Sequence, residues 1–317
     1  MEINKLFQKI QNGERSAIAE GITLIENNNP KKIKHKNKLI EMCIPKSGNS
    51  YRIAVSGIPG VGKSTFINEI SKKFINQNKK IAILTIDPSS SKSGGSIMGD
   101  KTRMNDIISS EKVFIRPSPN SGHLGGININ TQDAIILFEA AGYEIIIIET
   151  VGVGQSEFEV KNITDLFILL TITNTGDEIQ AIKKGIIEIS DLILINKSDN
   201  DNIKKSQILQ KNLKSILNTK QNTKIEVCSS LEGHNISNIY KIIIDFFKEQ
   251  KKTKEFIENR KNQKILWIEK KIKNQIIQDF YNKKEIKEKI KELYLKIEKN
   301  KFNFQNEINQ IIKLYKS

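Results

Sequence analysis

The run Gly57-Ile58-Pro59-Gly60-Val61-Gly62-Lys63-Ser64 brings glycines, a lysine and a hydroxyl into one short stretch. Glycines let successive backbone N–H groups curl round a phosphate, because no Cβ stands in the way. Lys63 is then spaced to reach β- and γ-phosphoryl oxygens, and Ser64 to ligate Mg²⁺. The candidate nucleotide contacts here are Gly57, Gly60, Val61, Gly62, Lys63, Ser64 and Thr65. Ahead of the turn, Tyr51 to Ser56 reads as a buried strand; behind it, Thr65 to Ile75 has helical spacing. A strand, a glycine-rich turn and a helix opening on Lys-Ser form the context that a phosphate-binding loop requires. The helix also aims its positive end at the same phosphates. One nucleoside triphosphate site is expected.

Carboxylates near such a site serve a metal. Asp87 directly follows the apolar IAILTI, and Asp100 lies in the Gly-, Ser- and Lys-rich run beyond it. Either can hold Mg²⁺ directly or through water, although Asp87 is also compatible with a turn or helix cap. Ile145 to Ile148 ends in Glu149-Thr150-Val151-Gly152-Val153-Gly154-Gln155. Glu149 is the candidate outer-shell Mg²⁺ group. The Gly152 N–H is placed to bond a γ-phosphate and to release it on hydrolysis, an order–disorder switch. Gln155 is the nearest amide that could orient a water, and a plain surface role fits it equally. The candidate catalytic set is therefore Lys63, Gln155, Glu149 and Asp87, with Ser64, Asp87, Asp100 and Glu149 as the metal set. No glutamine directly follows Gly152, so slow intrinsic turnover is expected.

The base is addressed further on. Asp199, in Asn196-Lys197-Ser198-Asp199 after the strand-like DLILI, can accept hydrogen bonds from guanine N1–H and its 2-amino group. Adenine offers no such pair, and the mismatch is worth about 10²- to 10⁵-fold. Asn196 would brace the loops and the Lys197 stem would cover one face of the base. Ser229, Ser230 and Leu231 follow the last strand-like segment, where backbone N–H groups can reach guanine O6. GTP and GDP are the expected ligands, with Mg²⁺.

These residues must be carried by regular elements. Strand-like segments fall near 51–56, 81–86, 112–116, 144–149, 166–172, 191–196 and 224–228. Helical patterns fit 63–77, 99–108, 128–141, 178–188, 202–218 and 235–249. The alternation predicts an α/β fold, a mostly parallel sheet with helices on both faces. All the polar motifs lie just past a strand, where such sheets bind ligands. Residues 1–50 read as a helical N-terminal extension, 51–250 as the nucleotide domain and 251–317 as a C-terminal helical arm.

Composition narrows the class. No apolar run approaches the length of a membrane span, and MEINKLFQKIQNGE lacks the apolar core of a leader, so a cytoplasmic location is expected. Cys43 and Cys228 are the only cysteines, which argues against a disulfide scaffold. The net charge of +15 comes almost wholly from lysines scattered through Ile- and Asn-rich helices, without basic–aromatic interleaving. A solvated surface explains it better than nucleic acid.

In combination, GIPGVGKSTFINEI from Gly57, DPSSSKSGGSIMGDKTRM from Asp87, RPSPNSGHLGG from Arg116, ETVGVGQSE from Glu149, GDEIQAIKKGI from Gly176 and NKSD from Asn196 resemble the MeaB/ArgK family of P-loop GTPases. The resemblance covers roughly residues 15 to 270. It departs from the family pattern at Thr171-Ile172-Thr173-Asn174-Thr175. It implies a SIMIBI-type P-loop GTPase fold and a GTP-hydrolysing chaperone. Such a chaperone gates cobalamin loading or repair of a methylmalonyl-CoA mutase-type enzyme. It also implies an additional switch loop at Gly176 to Gly185. No Asp-x-His-x-x-Gly signature occurs, which leaves cobalamin to the partner. Through Arg260, Gln263 and Trp267 the resemblance further implies a homodimerisation arm. Its apolar stripe runs from Phe256 through Ile268, Ile272, Ile276 and Ile277 to Ile286, Ile290, Leu293 and Leu295. Three other readings stay open: a nickel-insertion maturation GTPase, a kinase or ATPase linked to amino-acid transport, and an RNA-associated GTPase.

Overall fold

The computed structural model describes residues 2–27, 29–87, 104–119, 129–150, 152, 157–173, 184–217, 223–300 and 303–316. Among these, seven strands occur: β1 (Tyr51–Ser56), β2 (Ile81–Asp87), β3 (Val113–Pro119), β4 (Ile145–Glu149), β5 (Leu166–Thr171), β6 (Leu192–Ile195) and β7 (Lys224–Val227). They form one sheet in the order β3-β2-β4-β1-β5-β6-β7, and every pair is parallel. Each expected strand is present. A parallel sheet covered on both faces needs strands that are apolar throughout, and IIIIE in β4 and LILI in β6 are buried along their whole length. The order puts β1, which feeds the glycine-rich turn, between β4 and β5. The ends of these three strands therefore meet.

α1 (Ile3–Gln11), α2 (Arg15–Glu26) and α3 (Pro30–Cys43) pack on the helix Ile129–Ala140. Asn29 caps α3 by accepting from the Lys31 N–H, and Pro30 starts the helix where its missing N–H costs nothing. Polar ties reinforce the packing. Arg15 Nη1 donates to Val113 O at 2.7 Å, and Lys36 Nζ donates to Asn130 Oδ1 and Ile25 O, both at 2.6 Å. α4 (Lys63–Asn76) lies against the sheet through Phe66, Ile67, Ile70 and Phe74, all buried. The helix Ile236–Lys252 buries Ile239, Ile243 and Phe247 in the same cluster, and Tyr51 stacks on Phe247 with centroids 4.0 Å apart.

At the start of β1 sits a buried ionic group. Arg52 donates through Nε and Nη2 to the two oxygens of Glu139 at 3.0 and 2.9 Å, and through its backbone N–H to Asp165 Oδ2 at 2.9 Å. Arg260 Nη2 reaches the same Asp165 oxygen at 2.9 Å, and Gln263 Oε1 accepts from Arg52 Nη1 at 2.9 Å. Burial works against ionising Glu139, but Arg52 and Arg260 outweigh it and hold the carboxyl below its usual range. Burial dominates at Asp165 and pushes that carboxyl up, while the Arg260 guanidinium is lowered to about 10 by its own burial.

Two compact units divide the chain, Met1–Gln263 and Lys264–Ser317. The boundary falls inside one helix, Glu255–Asn282. The stretch read as a helical arm holds more than one helix. Lys283, with extended φ −60 and ψ 129, ends the first ladder and caps a second helix, Lys284–Glu298. A third helix is Phe304–Lys316. Within the second unit Lys296 pairs with Glu307, Lys283 Nζ donates to Tyr315 O at 3.0 Å, and Ile286 is fully buried. No helix among the described residues is long and apolar enough to cross a membrane.

Candidate functional site

The ends of β1, β4, β5, β6 and β7 converge on the turn Gly57–Gly62. Gly62 has φ +96, a left-handed conformation that favours glycine, and it caps the N-terminus of α4. A Cβ there would lie 2.6 Å from Asn196 Nδ2. That amide is the brace. Asn196, 2% exposed, donates from Nδ2 to Val61 O at 2.9 Å. Its Oδ1 accepts from the Ser230 N–H at 2.9 Å and the Ser230 hydroxyl at 2.8 Å. One side chain thus joins the phosphate-loop region to the segment after β7. The Cys228 thiol, whose pKa burial pushes up to about 12, stays protonated at neutral pH and adds a third donor to Oδ1 at 3.6 Å.

Lys63 and Ser64 open α4. Lys63 Nζ donates to Gly57 O at 2.8 Å and Ile58 O at 3.2 Å, which lays its ammonium across the mouth of the loop. Ser64 Oγ donates to Glu149 Oε1 at 3.1 Å, so a hydroxyl and a carboxylate oxygen share one small volume. Hard oxygen donors of this kind suit Mg²⁺, which binds few protein groups and completes its shell with phosphate and water. The donor set fits the ion: Ser64 would hold it with Glu149 beside it, and the ion would neutralise phosphate charge. Val61 is fully buried, Thr65 is half-buried behind Ser64, and Gly60 is exposed at the tip of the turn.

Gly152 makes the closest approach in the site. At φ +80, a Cβ on it would stand 2.0 Å from Gly57 O and 3.0 Å from Ile58 N. No side chain fits there, so the backbone after β4 lies directly on the phosphate loop. Thr150, one residue past β4, fixes this with an N–H bond to Val55 O at 3.0 Å.

On the base side, Asp199 Oδ2 accepts from Ser229 Oγ at 2.8 Å, and the Ser198 N–H donates to Cys228 O at 3.0 Å. The carboxylate is thereby aimed while keeping acceptor capacity. Lys197, at φ +57, is exposed beside it, and Leu231 is 84% exposed. These groups can frame a flat, donor-rich base.

Other expected residues are placed less fully. Asp87 is the last residue of β2, in register with Pro119, and its side chain is outside the described residues. Asp100, Gln155 and most of Gly176 to Gly185 lie outside them too. Sequence reasoning missed Ser56, Thr150 and Glu157, which form a buried polar contact next to the loop. The local sequence gives no signal for it, because Ser56, Thr150 and Glu157 become neighbours only when β1 and β4 pair. Arg260 and Gln263, which carry the resemblance in the arm, bond to groups of their own chain around Arg52.

The sequence profile of the family described as methylmalonyl Co-A mutase-associated GTPase MeaB matches residues 18–285. The chain is 36% identical over 311 residues to a protein of Escherichia coli (strain K12) named GTPase ArgK, covering 96% of this chain and 94% of that one. It is 34% identical over 331 residues to a Mus musculus protein named methylmalonic aciduria type A homolog, mitochondrial, covering 99% and 80%. A crystal structure described as LAO/AO transport system kinase superposes with a TM-score of 0.74 at 30% identity, covering 99% of this chain and 98% of that chain.

Proposed function

The chain belongs to the MeaB family of GTPases, and on that premise we propose that it couples GTP binding and hydrolysis to cofactor loading or repair of a cobalamin-dependent methylmalonyl-CoA mutase or a related acyl-CoA mutase. In this reading Gly57 to Thr65 cradle the phosphates, Ser64 holds Mg²⁺ with Asp87, Asp100 and Glu149 around it, and Lys63 stabilises the charge of the transferring phosphoryl group. Asn196, Lys197, Asp199 and Ser229 to Leu231 select guanine, and Gln155 orients the water. The contact of Gly152 with Gly57 carries the reading. A backbone element seated on the phosphate loop is placed to register a third phosphate and to report it elsewhere. Asp199, aimed by Ser229, favours a guanine nucleotide over the ATP that a kinase reading requires.

The same proposal assigns residues 1–50 to an N-terminal extension, 51–250 to the GTPase domain and 251–317 to a homodimerisation arm in a cytoplasmic protein. Ile272, Ile276 and Ile277 are each about half exposed in the single chain, as a face awaiting a second copy would be. One experiment tests assembly and client together: light scattering on the full chain, alone and with a purified methylmalonyl-CoA mutase, in GTP and in GDP. A mass near twice 36.1 kDa alone is expected, with a mutase complex whose population differs between the nucleotides. A monomer throughout removes the arm's role, and an indifferent mutase removes the client.

A further inference from the structure

Three polar side chains next to the phosphate loop have no part in the site just proposed. Ser56 and Glu157 are fully buried and Thr150 is 1% exposed. Thr150 Oγ1 donates to Ser56 Oγ at 2.9 Å, and both hydroxyls lie 3.4 Å from Glu157 Oε1. Glu157 Oε2 has no hydrogen-bond partner among the described residues. A carboxyl group in such surroundings costs free energy that two long hydrogen bonds offset only in part, and an apolar side chain of similar volume avoids that cost. As packing, Glu157 is a poor choice. Its partners show a better reason for it. Ser56 immediately precedes Gly57, and Thr150 is separated from Gly152 by one residue. Those two glycines are the pair in closest approach.

We propose that Glu157 is a positioning residue for GTP hydrolysis. By accepting from Ser56 and Thr150 it fixes the spacing between the ends of β1 and β4. Gly57 and Gly152 then present their backbone to the γ-phosphate as one rigid surface. Glu157 acts through the two hydroxyls, not on the reacting atoms. The inference rests on the reading of Gly57 to Ser64 and Gly152 as the phosphate site. A group that only sets geometry affects the chemical step more than ground-state binding, and small misplacements cost up to about 100-fold.

The test is steady-state GTP turnover and GDP affinity of the full chain, with Glu157→Ala, Glu157→Gln, Thr150→Val, the Glu157→Ala/Thr150→Val double variant and Lys63→Ala. Glu157→Ala should lower kcat roughly 30- to 100-fold while KM and GDP affinity move less than about threefold. Glu157→Gln, whose amide oxygen still accepts, should recover most of that loss. The double variant should be no worse than Glu157→Ala alone, because both break one link. Unchanged kcat in Glu157→Ala, a parallel rise in KM, or additive losses in the double variant overturns the proposal. If Glu157→Ala does not fold, Thr150→Val decides: a fall of about tenfold in kcat alone supports the link, and parent-like turnover sinks it. An active Lys63→Ala instead refutes the phosphate-site reading. An inactive Lys63→Ala beside a fully active Glu157→Ala refutes only the role of Glu157.

Discussion

Strand β1 carries a polar constellation at each end, and the two are built on opposite plans. At its exit, short side chains and bare backbone do the binding: Gly57, Gly152, Asn196 and Ser64 meet at distances that leave no room for bulk. At its entrance, long charged side chains from well-separated segments close on Arg52, with Glu139 supplying both oxygens and Asp165 shared with Arg260. The exit keeps its polar groups oriented toward a ligand. The entrance satisfies its charges internally. One end trades stability for chemistry, and the other ties the sheet to the helix Glu255–Asn282. A buried guanidinium between two carboxylates is weak evidence for net stabilisation, yet removing one partner strands the rest.

The contrast predicts effects that separate. Arg52→Met should act on folding alone, with a loss of about 3–5 kcal/mol in urea denaturation, because Glu139 is left buried without its bidentate partner. GTP affinity of the folded fraction should stay within about threefold. A loss under about 1 kcal/mol would mean that the entrance cluster relaxes freely. Lys63→Ala should do the reverse. Phosphate release should fall about 10²- to 10³-fold, or about 3–4 kcal/mol of transition-state stabilisation, with the melting curve little changed. Turnover near that of the parent would break the assignment of the exit. Asp199→Asn should cost about 2–3 kcal/mol in GTP affinity, because the carboxylate that accepts from guanine becomes an amide. Xanthine nucleotides should gain, since the amide offers a donor to the 2-oxo group. An unaltered ratio of GTP to xanthosine triphosphate binding in calorimetry would exclude Asp199 from the base site.

The same contrast explains what the sequence disclosed. The exit was legible because its residues come in local runs, each just past an apolar segment of strand length. Even the bracing role of Asn196 follows from its place in Asn-Lys-x-Asp. The entrance was opaque because it joins partners up to 211 residues apart, each unremarkable in its own segment. Arg52 reads as an oddity in a strand, and Glu139 as one of several polar residues in its helix. Glu157 was hidden for a related reason: its partners Ser56 and Thr150 are ordinary strand-end hydroxyls until β1 and β4 are adjacent. The break at Lys283 escaped because lysine has no intrinsic objection to a helix, and neither glycine nor proline marks the site.

The brace from Asn196 to Val61 has a consequence for how the chain is made. The glycine-rich turn leaves the ribosome 135 residues before the side chain that shapes it. At synthesis rates of about 5–20 residues per second, the delay is on the order of ten seconds. Until Glu149 has been added neither β4 nor β5 is complete, so β1 has no neighbour in the sheet, and the turn lacks its brace until Asn196 follows. A nascent chain therefore cannot hold nucleotide in this site until most of the sheet has been translated, and ligand capture belongs to the late stages of folding.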